Sequence, residues 1–260
     1  MTVVVGAPVA ERAWILPKWF ECLDKQTLKP DGFCFIYSDS QDNTHELLTN
    51  DIAPSYIRRV KLPFISRDVR NANPADPHSA KHMAKLRNEL RRLFLSETDA
   101  DYFVSLDTDI LLEDKHILQE LINVVKPGPI GHKFPIPPQY DVACARTVLH
   151  HWDQSQCYNA GMLGGGEGFD QVWQRCDNSA LLYKSPIRID VPMAIWATRR
   201  HVVGMCDYVE HECGEDIGFA QSLKQHNFRV AWRHDLVARH VWGPSFLESD
   251  TKVEAHAGMS

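Results

Sequence analysis

Two carboxylates stand two residues apart in Asp107-Thr108-Asp109. An apolar run abuts them on each side, Phe103-Val104-Ser105-Leu106 before and Ile110-Leu111-Leu112 after. On extended backbone, residues i and i+2 share a face. Two anions about 5 Å apart repel by roughly 3 kcal/mol at an effective dielectric near 20. A divalent cation between them, or between one of them and a diphosphate, turns that repulsion into attraction. Hard oxygen donors suit Mg²⁺ or Mn²⁺ rather than zinc or copper. A plain acidic turn is the alternative, since Asp and Thr favour turns. The burial-seeking residues on both sides argue against it.

The elements that must position these acids alternate along the first half of the chain. Val3 to Val5 read as a strand broken by Gly6-Ala7-Pro8. A helix starts near Leu16-Pro17 with an apolar face of Leu16, Trp19, Phe20 and Leu23. Phe33 to Tyr37 is apolar throughout, as a strand buried on both faces of a parallel sheet would be. A polar loop, Ser38 to Asn43, and a short helix over Thr44 to Leu48 follow. Tyr56 to Val60 reads as a third strand, and Pro63 to Pro77 as irregular. Ser79 caps a helix running to about Phe94, with Met83, Leu86, Leu90, Leu93 and Phe94 as its buried stripe. Asp101 to Leu106 is the strand that delivers Asp107, and Ile117 to Val125 the next helix. This alternation predicts an α/β fold with a doubly wound parallel sheet, whose ligands bind beyond the carboxyl ends of the strands. Asp39 and Asp107 both fall there.

The second half is less regular. Pro127 to Pro138 reads as extended edge structure, Gly161 to Gly166 as a flexible turn, and Val191 to Thr198 as a strand. Asp216 to Gln225 reads as a helix with Ile217, Ala220 and Leu223 inward. Phe228 to Trp232 and Leu236 to Val241 read as two further strands. No repeat or linker stands out, so a single domain over 1–260 is expected: a first half to about 126, a second over about 127–245, and a tail over 246–260.

The 260 residues, 44% hydrophobic, suffice for a sizeable core. No apolar run approaches the ~20 residues of a membrane span, and Met1 leads directly into a strand without a basic, apolar leader, so a cytoplasmic location is expected. The seven cysteines (22, 34, 144, 157, 176, 206 and 213) include no CxxC pair, which argues against a zinc knuckle or disulfide framework. The net charge of −6 is uneven. Residues 58–92 hold ten Lys/Arg against three acids, a local +7, leaving −13 on the remainder. Such a run is either a solvated helix face or a basic wall beside an acidic site.

Four segments then fall in a telling order: Val3 to Val9 (VVVGAPV), Ser38-Asp39-Ser40, Asp107-Thr108-Asp109, and Gly214 to Ala220 (GEDIGFA), trailed by His240. Over about residues 3–242 the chain resembles the GT-A class of nucleotide-sugar glycosyltransferases, which implies a single Rossmann-like GT-A domain with a mostly parallel central sheet flanked by helices. The resemblance implies a donor site in which Pro8 and Val9 lie against the nucleotide base and Asp39 binds base or ribose, usually with uracil as the base, so that a UDP-sugar is the expected donor. Arg12, Lys85, Arg87 and Asn88 are the polar groups set near the donor, with Asp107 and Thr108 beside ribose or a metal-bound water. It implies Asp107, Asp109 and His240 as the metal shell, and an imidazole ligand favours Mn²⁺ over Mg²⁺. Glu215 and Asp216 match the acid pair of inverting members, with Asp216 as general base opposite the leaving diphosphate. Acids at a helix start also stabilise its dipole by about 0.3–1 kcal/mol; Gly214 and Gly218 beside them point to close ligand approach. Gly164 to Gly166 with Glu167 can shape a sugar pocket, and Trp152 or Trp173 can stack on a sugar or pack in the core.

The short chain without a hydrophobic tail resembles bacteriophage-type enzymes of this class. Some of those glycosylate hydroxymethylated pyrimidines, so DNA is one expected acceptor and a saccharide or other small soluble hydroxyl compound the other. An enzyme on duplex DNA would extrude the base and bind salt-dependently. Rival readings are a sugar-nucleotide pyrophosphorylase and a non-catalytic nucleotide-sugar or polyanion binder. The first needs a Gly-rich basic loop after the first strand, where this chain has Gly6-Ala7-Pro8-Val9-Ala10-Glu11-Arg12; the second has no use for Glu215-Asp216. A two-metal phosphatase or nuclease would gather more carboxylates or histidines.

Overall fold

The computed structural model describes residues 1–38, 40–52, 64–68, 80–128, 139–149, 160–164, 173–176 and 182–247. The first half comprises β1 (Val3–Val9), α1 (Leu16–Asp24), β2 (Gly32–Tyr37), β3 (Phe64–Asp68), α2 (Ala80–Glu97), β4 (Tyr102–Leu106), β5 (Ile110–Leu111) and α3 (Ile117–Val125). The second comprises β6 (Val142–Leu149), β7 (Ala160–Leu163), β8 (Trp173–Arg175), β9 (Ile187–Ile189), β10 (Val191–Pro192), β11 (Ile195–Arg199), α4 (Arg200–Met205), α5 (Glu215–Gln225) and β12 (Val230–His240). The main sheet runs β3-β2-β1-β4-β11-β6-β12-β5, with β9 also paired to β12; β10-β7-β8 form a small second sheet. Six of the nine main strands run one way, and β11, β5 and β9 run against them. The fold is thus α/β, with a mostly parallel central sheet flanked by helices.

The period-2 alternation of the central strands explains the layers. On β2, Phe33 and Phe35 stack at 6.1 Å on one face, where Trp19 and Phe20 of α1 meet them. Cys34 and Ile36 point to the other face and join Leu86, Leu90 and Phe94 of α2. Each large side chain buried this way contributes about 1.5–3 kcal/mol. β1 continues through Gly6-Ala7-Pro8 to Val9, past the expected break. Its pairing with β4 ends at Gly6, so beyond that point one edge is open and a proline is tolerated. Gly6 is inside the strand because a Cβ there would stand 2.6 Å from the Phe103 ring.

Several boundaries differ from the sequence expectation. The strand beside β2 is Phe64–Asp68, inside the stretch read as irregular; Tyr56 to Val60, Ser79 and residues 129–138 lie outside the described residues. The short helix is Thr44–Glu46 and runs on as a wider π-type turn to Ile52. Gly161 to Leu163 is strand β7, held by β10 and β8. The expected strand 191–198 is divided at Ala194, whose φ of 58° breaks the extended run. The two expected strands near the end are one, β12, bulged between Arg233 and Val237. Strand β6 and helix α4 carry no periodic signal that the sequence reading detected. Cys22, Cys34, Cys144 and Cys206 are buried thiols. Among the described residues no helix is long and apolar enough to cross a membrane.

Candidate functional site

The carboxyl ends of β1 and β4 open into a cleft of about 590 Å³. One wall is Pro8 and Val9, which end β1, and the turn Ala10-Glu11-Arg12 into α1. The loop after β2 pins that turn: Glu11 N–H donates to Ser40 Oγ (3.0 Å), Arg12 N–H to Thr44 Oγ1 (2.8 Å) and Ala13 N–H to Asp42 Oδ2 (3.0 Å). The opposite wall is the start of α2, with His82, Met83, Leu86 and Arg87. The floor is Asp107-Thr108-Asp109, and Glu215 and Asp216 at the start of α5 close the far side.

Asp107 to Ile110 form a turn, with Ile110 N–H donating to Asp107 C=O at 3.0 Å. The turn sits between two buried strands, against the expectation that flanking apolar residues would keep the backbone extended. It is stable there because its polar backbone is satisfied: Asp107 N–H donates to Ala194 C=O (2.9 Å), and the Trp19 indole donates to Asp107 C=O (3.2 Å). The two carboxylates line one cleft but have different partners. Asp107 accepts from Arg87 Nη2 at 3.0 and 3.3 Å. Asp109 has Oδ2 2.9 Å from Arg12 Nη2 and Oδ1 3.6 Å from His240 Nε2.

His240 arrives by strand pairing. β12 runs antiparallel to the two-residue strand β5 with His240 opposite Ile110, and Val241 N–H donates to Asp109 C=O at 2.8 Å. Burial pushes the Asp107 carboxyl upward; Arg87 opposes this, while Asp109 and Glu215 add to it. Burial acts the same way on Asp109, but the His240 and Arg12 contacts outweigh it and hold that carboxyl below the ordinary range.

Arg87 is 5% exposed and joins the two acid groups. Its Nε donates to Glu215 Oε1 (3.0 Å) while Nη2 holds Asp107. Its guanidinium also lies 5.8 Å from the centre of the Tyr208 ring. Glu215 is thus engaged. Asp216 Oδ1 is buried and has no hydrogen-bond partner among the described residues. Burial and then the Glu215 charge push the Asp216 carboxyl well above the usual range, against Arg87, and Asp107 adds to the rise. A buried carboxyl with a bare oxygen in a cleft, its affinity for a proton raised by its surroundings, is suited to accept one in its ionised form.

Among the described residues no three His, Cys, Asp or Glu side chains converge as a metal cage. Asp109 Oδ1 and His240 Nε2 nonetheless fit a divalent ion. A separation of 3.6 Å allows one ion to touch both at ordinary bond lengths of about 2.1 Å. Such ions are commonly bound by one or two protein groups plus substrate phosphates. One oxygen and one imidazole suit Mn²⁺. His240 Nδ1 is buried without a partner among the described residues, so it lacks the acceptor that usually fixes a ligating imidazole. Asp107, expected on the same ion, accepts from Arg87 here.

Of the remaining expected residues, Pro8, Val9, Arg12, Arg87 and Thr108 line the cleft. Lys85 lies on the exposed side of α2, because the 3.6-residue period that turns Arg87 inward turns Lys85 out. Asn88 binds the Tyr208 backbone in both directions, at 2.7 and 2.9 Å, and faces away from the cleft. Gly218 makes room for backbone rather than ligand: a Cβ there would stand 1.8 Å from Val209 C=O. Trp173 lies on β8, and Asp39, Trp152, Gly165, Gly166 and Glu167 lie outside the described residues. The sequence reading missed His82, buried with Nε2 3.2 Å from Ser38 Oγ, and Gln41, both in the cleft lining. The available signal was the i, i+4 spacing of His82 with Leu86.

No family model matches the chain, and no curated protein matches it in sequence. Solved structures do share its fold. Residues 1–349 of Staphylococcus aureus TarS superpose with a TM-score of 0.52 at 14% identity, over 93% of this chain and 60% of that one. GalNAc-T7 with UDP, GalNAc and Mn²⁺ gives 0.55 at 13%, over 100% and 46%. The mannosyltransferase PcManGT of Pyrobaculum calidifontis with GDP-Man and Mn²⁺ gives 0.55 at 12%, over 91% and 56%. This chain therefore spans less than two thirds of the length of each, and at such identities the likeness is one of fold, that of GT-A domains.

Proposed function

We propose that this chain is a nucleotide-sugar glycosyltransferase that moves a sugar from a nucleoside-diphosphate donor, first of all a UDP-sugar, to an acceptor hydroxyl with inversion. The observation that carries the reading is the meeting, in one cleft, of Asp109, two arginines and Asp216, whose Oδ1 has no partner among the described residues, with His240 beside Asp109, from five separate segments. The likeness to structures holding UDP and GDP-Man with Mn²⁺ supports the donor class.

In this reading Asp109 and His240 hold Mn²⁺ or Mg²⁺, which when bound neutralises the leaving diphosphate. Pro8, Val9, Met83 and Leu86 offer apolar contact to the base. Arg12 and Arg87 turn positive charge toward the phosphates. Glu215, fixed by Arg87, holds the first turn of α5 so that Asp216 faces the acceptor. Asp216 takes the acceptor proton as the oxygen attacks in line with the departing diphosphate. The donor half would run to about residue 126, and the acceptor half over about 127–245.

A small soluble acceptor fits better than DNA. The DNA reading leaned on the basic 58–92 segment; among its described side chains Arg87 and Arg91 are buried in ion pairs, Arg92 pairs with Glu89 and Lys81 with Glu210, and Lys85 is exposed. The test is turnover of a panel of UDP- and GDP-sugars with Mn²⁺, offered simple saccharides, plain duplex and duplex containing hydroxymethylcytosine. Transfer or donor hydrolysis that disappears in Asp216→Asn supports the reading. Unchanged turnover in that variant, or pyrophosphate release from a nucleoside triphosphate, would sink it. Transfer confined to the hydroxymethylated duplex would restore DNA as acceptor.

A further inference from the structure

Arg12 owes its place to the loop after β2. Glu11 before it adopts a left-handed backbone, φ 54°, and its N–H is held by Ser40 Oγ. The N–H groups of Arg12 and Ala13 are held by Thr44 and Asp42. That fixed turn extends the side chain over the cleft. There its Nη1 reaches only two carbonyls of its own turn, both at 3.3 Å, and its Nε is buried without a partner among the described residues. Among the described residues its one short side-chain contact is Nη2 to Asp109 Oδ2, at 2.9 Å.

Asp109 is therefore divided between a guanidinium and an imidazole. Oδ2 belongs to Arg12, and Oδ1 faces His240 Nε2 at 3.6 Å. An ion held by Oδ1 and His240 would share its single carboxylate with a fixed guanidinium, and like charges that close repel. Asp107 offers no relief, because Arg87 already occupies it. A diphosphate would bring negative charge to where both cations lie and remove the conflict.

We propose that Arg12 makes cation binding at Asp109 and His240 conditional on the diphosphate of the donor. The guanidinium weakens the site for a cation alone, and holds the same phosphates from the other side once they enter. This rests on the glycosyltransferase reading and goes beyond it: cation and donor bind as a coupled pair, and Arg12 carries the coupling. Linkage then requires each to raise the affinity for the other by one common factor. The opposite role, an arginine that merely aims Oδ1 at His240, gives the opposite sign, since losing such a support weakens metal binding.

The experiment measures Mn²⁺ binding to the full chain by the electron-paramagnetic signal of free Mn²⁺ and by calorimetry, with and without saturating UDP. The proteins are the natural chain, Arg12→Gln and Arg12→Lys, each checked by thermal melting. The natural chain should bind Mn²⁺ about tenfold tighter with UDP than without. Arg12→Gln should bind Mn²⁺ several-fold tighter than the natural chain when UDP is absent, and lose most of the coupling. Arg12→Lys, which keeps the charge, should keep it. Arg12→Gln binding Mn²⁺ no tighter, with coupling intact, overturns the role of Arg12 and leaves the donor site standing. A natural chain that gains no Mn²⁺ affinity from UDP overturns both.

Discussion

Asp216 and Arg87 share one corner of the cleft and make opposite demands on the fold. Asp216 is costly to ionise: burial and the Glu215 charge keep its proton on beyond the usual carboxylate range. An acid raised in this way contributes stability that is whole below the unfolded value, about pH 4, and is lost as pH rises through the folded value. Asp216→Asn cannot ionise. It should melt higher than the natural protein at neutral pH, with the difference closing below about pH 4, while turnover falls by about 10²–10⁴. Transfer by the natural chain should rise with pH as Asp216 loses its proton. Melting curves and rates across pH 4–9 check both. Arg87 is the reverse case, a buried cation that neutralises Asp107 and Glu215 together. Arg87→Ala leaves two acids facing each other in a low-dielectric corner, and denaturant unfolding should show a loss of about 3 kcal/mol. The apolar stripe of the helix, Met83, Leu86, Leu90, Leu93 and Phe94, already set Lys85 off its buried face, but it gave no sign that Arg87, two positions away, would be buried against two acids. Both are basic residues on one helix, and the helix phase relative to the sheet decides which is buried.

At the scale of elements, the chemistry depends on how α5 and β5 are seated. Helix α5 lies against the backbone at Val209 because Gly218 has no side chain; a Cβ would penetrate to 1.8 Å of a carbonyl oxygen that belongs to backbone and cannot rotate away. Gly218→Ala should therefore cost about 3 kcal/mol or more by calorimetry. In any fraction that still folds, displacement of the first turn of α5 should remove activity. The glycine was legible as a site of close approach, but what approaches was not: the contact is with a segment nine residues earlier in the chain. Strand β5 is only Ile110–Leu111, yet its pairing with β12 delivers His240 to Asp109. Two residues are too few to give a periodic signal, so this strand was invisible in the sequence. The elements that were legible, α1, β2, β4 and α3, each bury a full stripe or a continuous apolar run, and their pattern is complete within the element.

At the scale of the whole molecule, the cleft gathers five acids, Glu11, Asp107, Asp109, Glu215 and Asp216, against two arginines, with His82 in its lining and His240 beside Asp109. Adding a diphosphate alone deepens the negative excess, and adding a divalent ion with it offsets that charge. UDP near 100 times its dissociation constant, added to the chain with Mn²⁺ present, should stabilise the fold by about 2.7 kcal/mol, a rise in melting temperature of roughly 5–10 °C. Either one alone should do much less, and Asp216→Asn should respond like the natural chain, which a thermal-shift matrix can check. The sequence by itself determined the residue types available for this chemistry and the elements whose burial pattern is local, and with them the α/β layering. The tertiary structure alone decided which charges meet. Arg12 and Asp109 are 97 residues apart, and Arg87 and Glu215 are 128 apart. Such pairs leave no local pattern to read, because their attraction exists only after the sheet has set the register and the helix phase that bring them within hydrogen-bond reach.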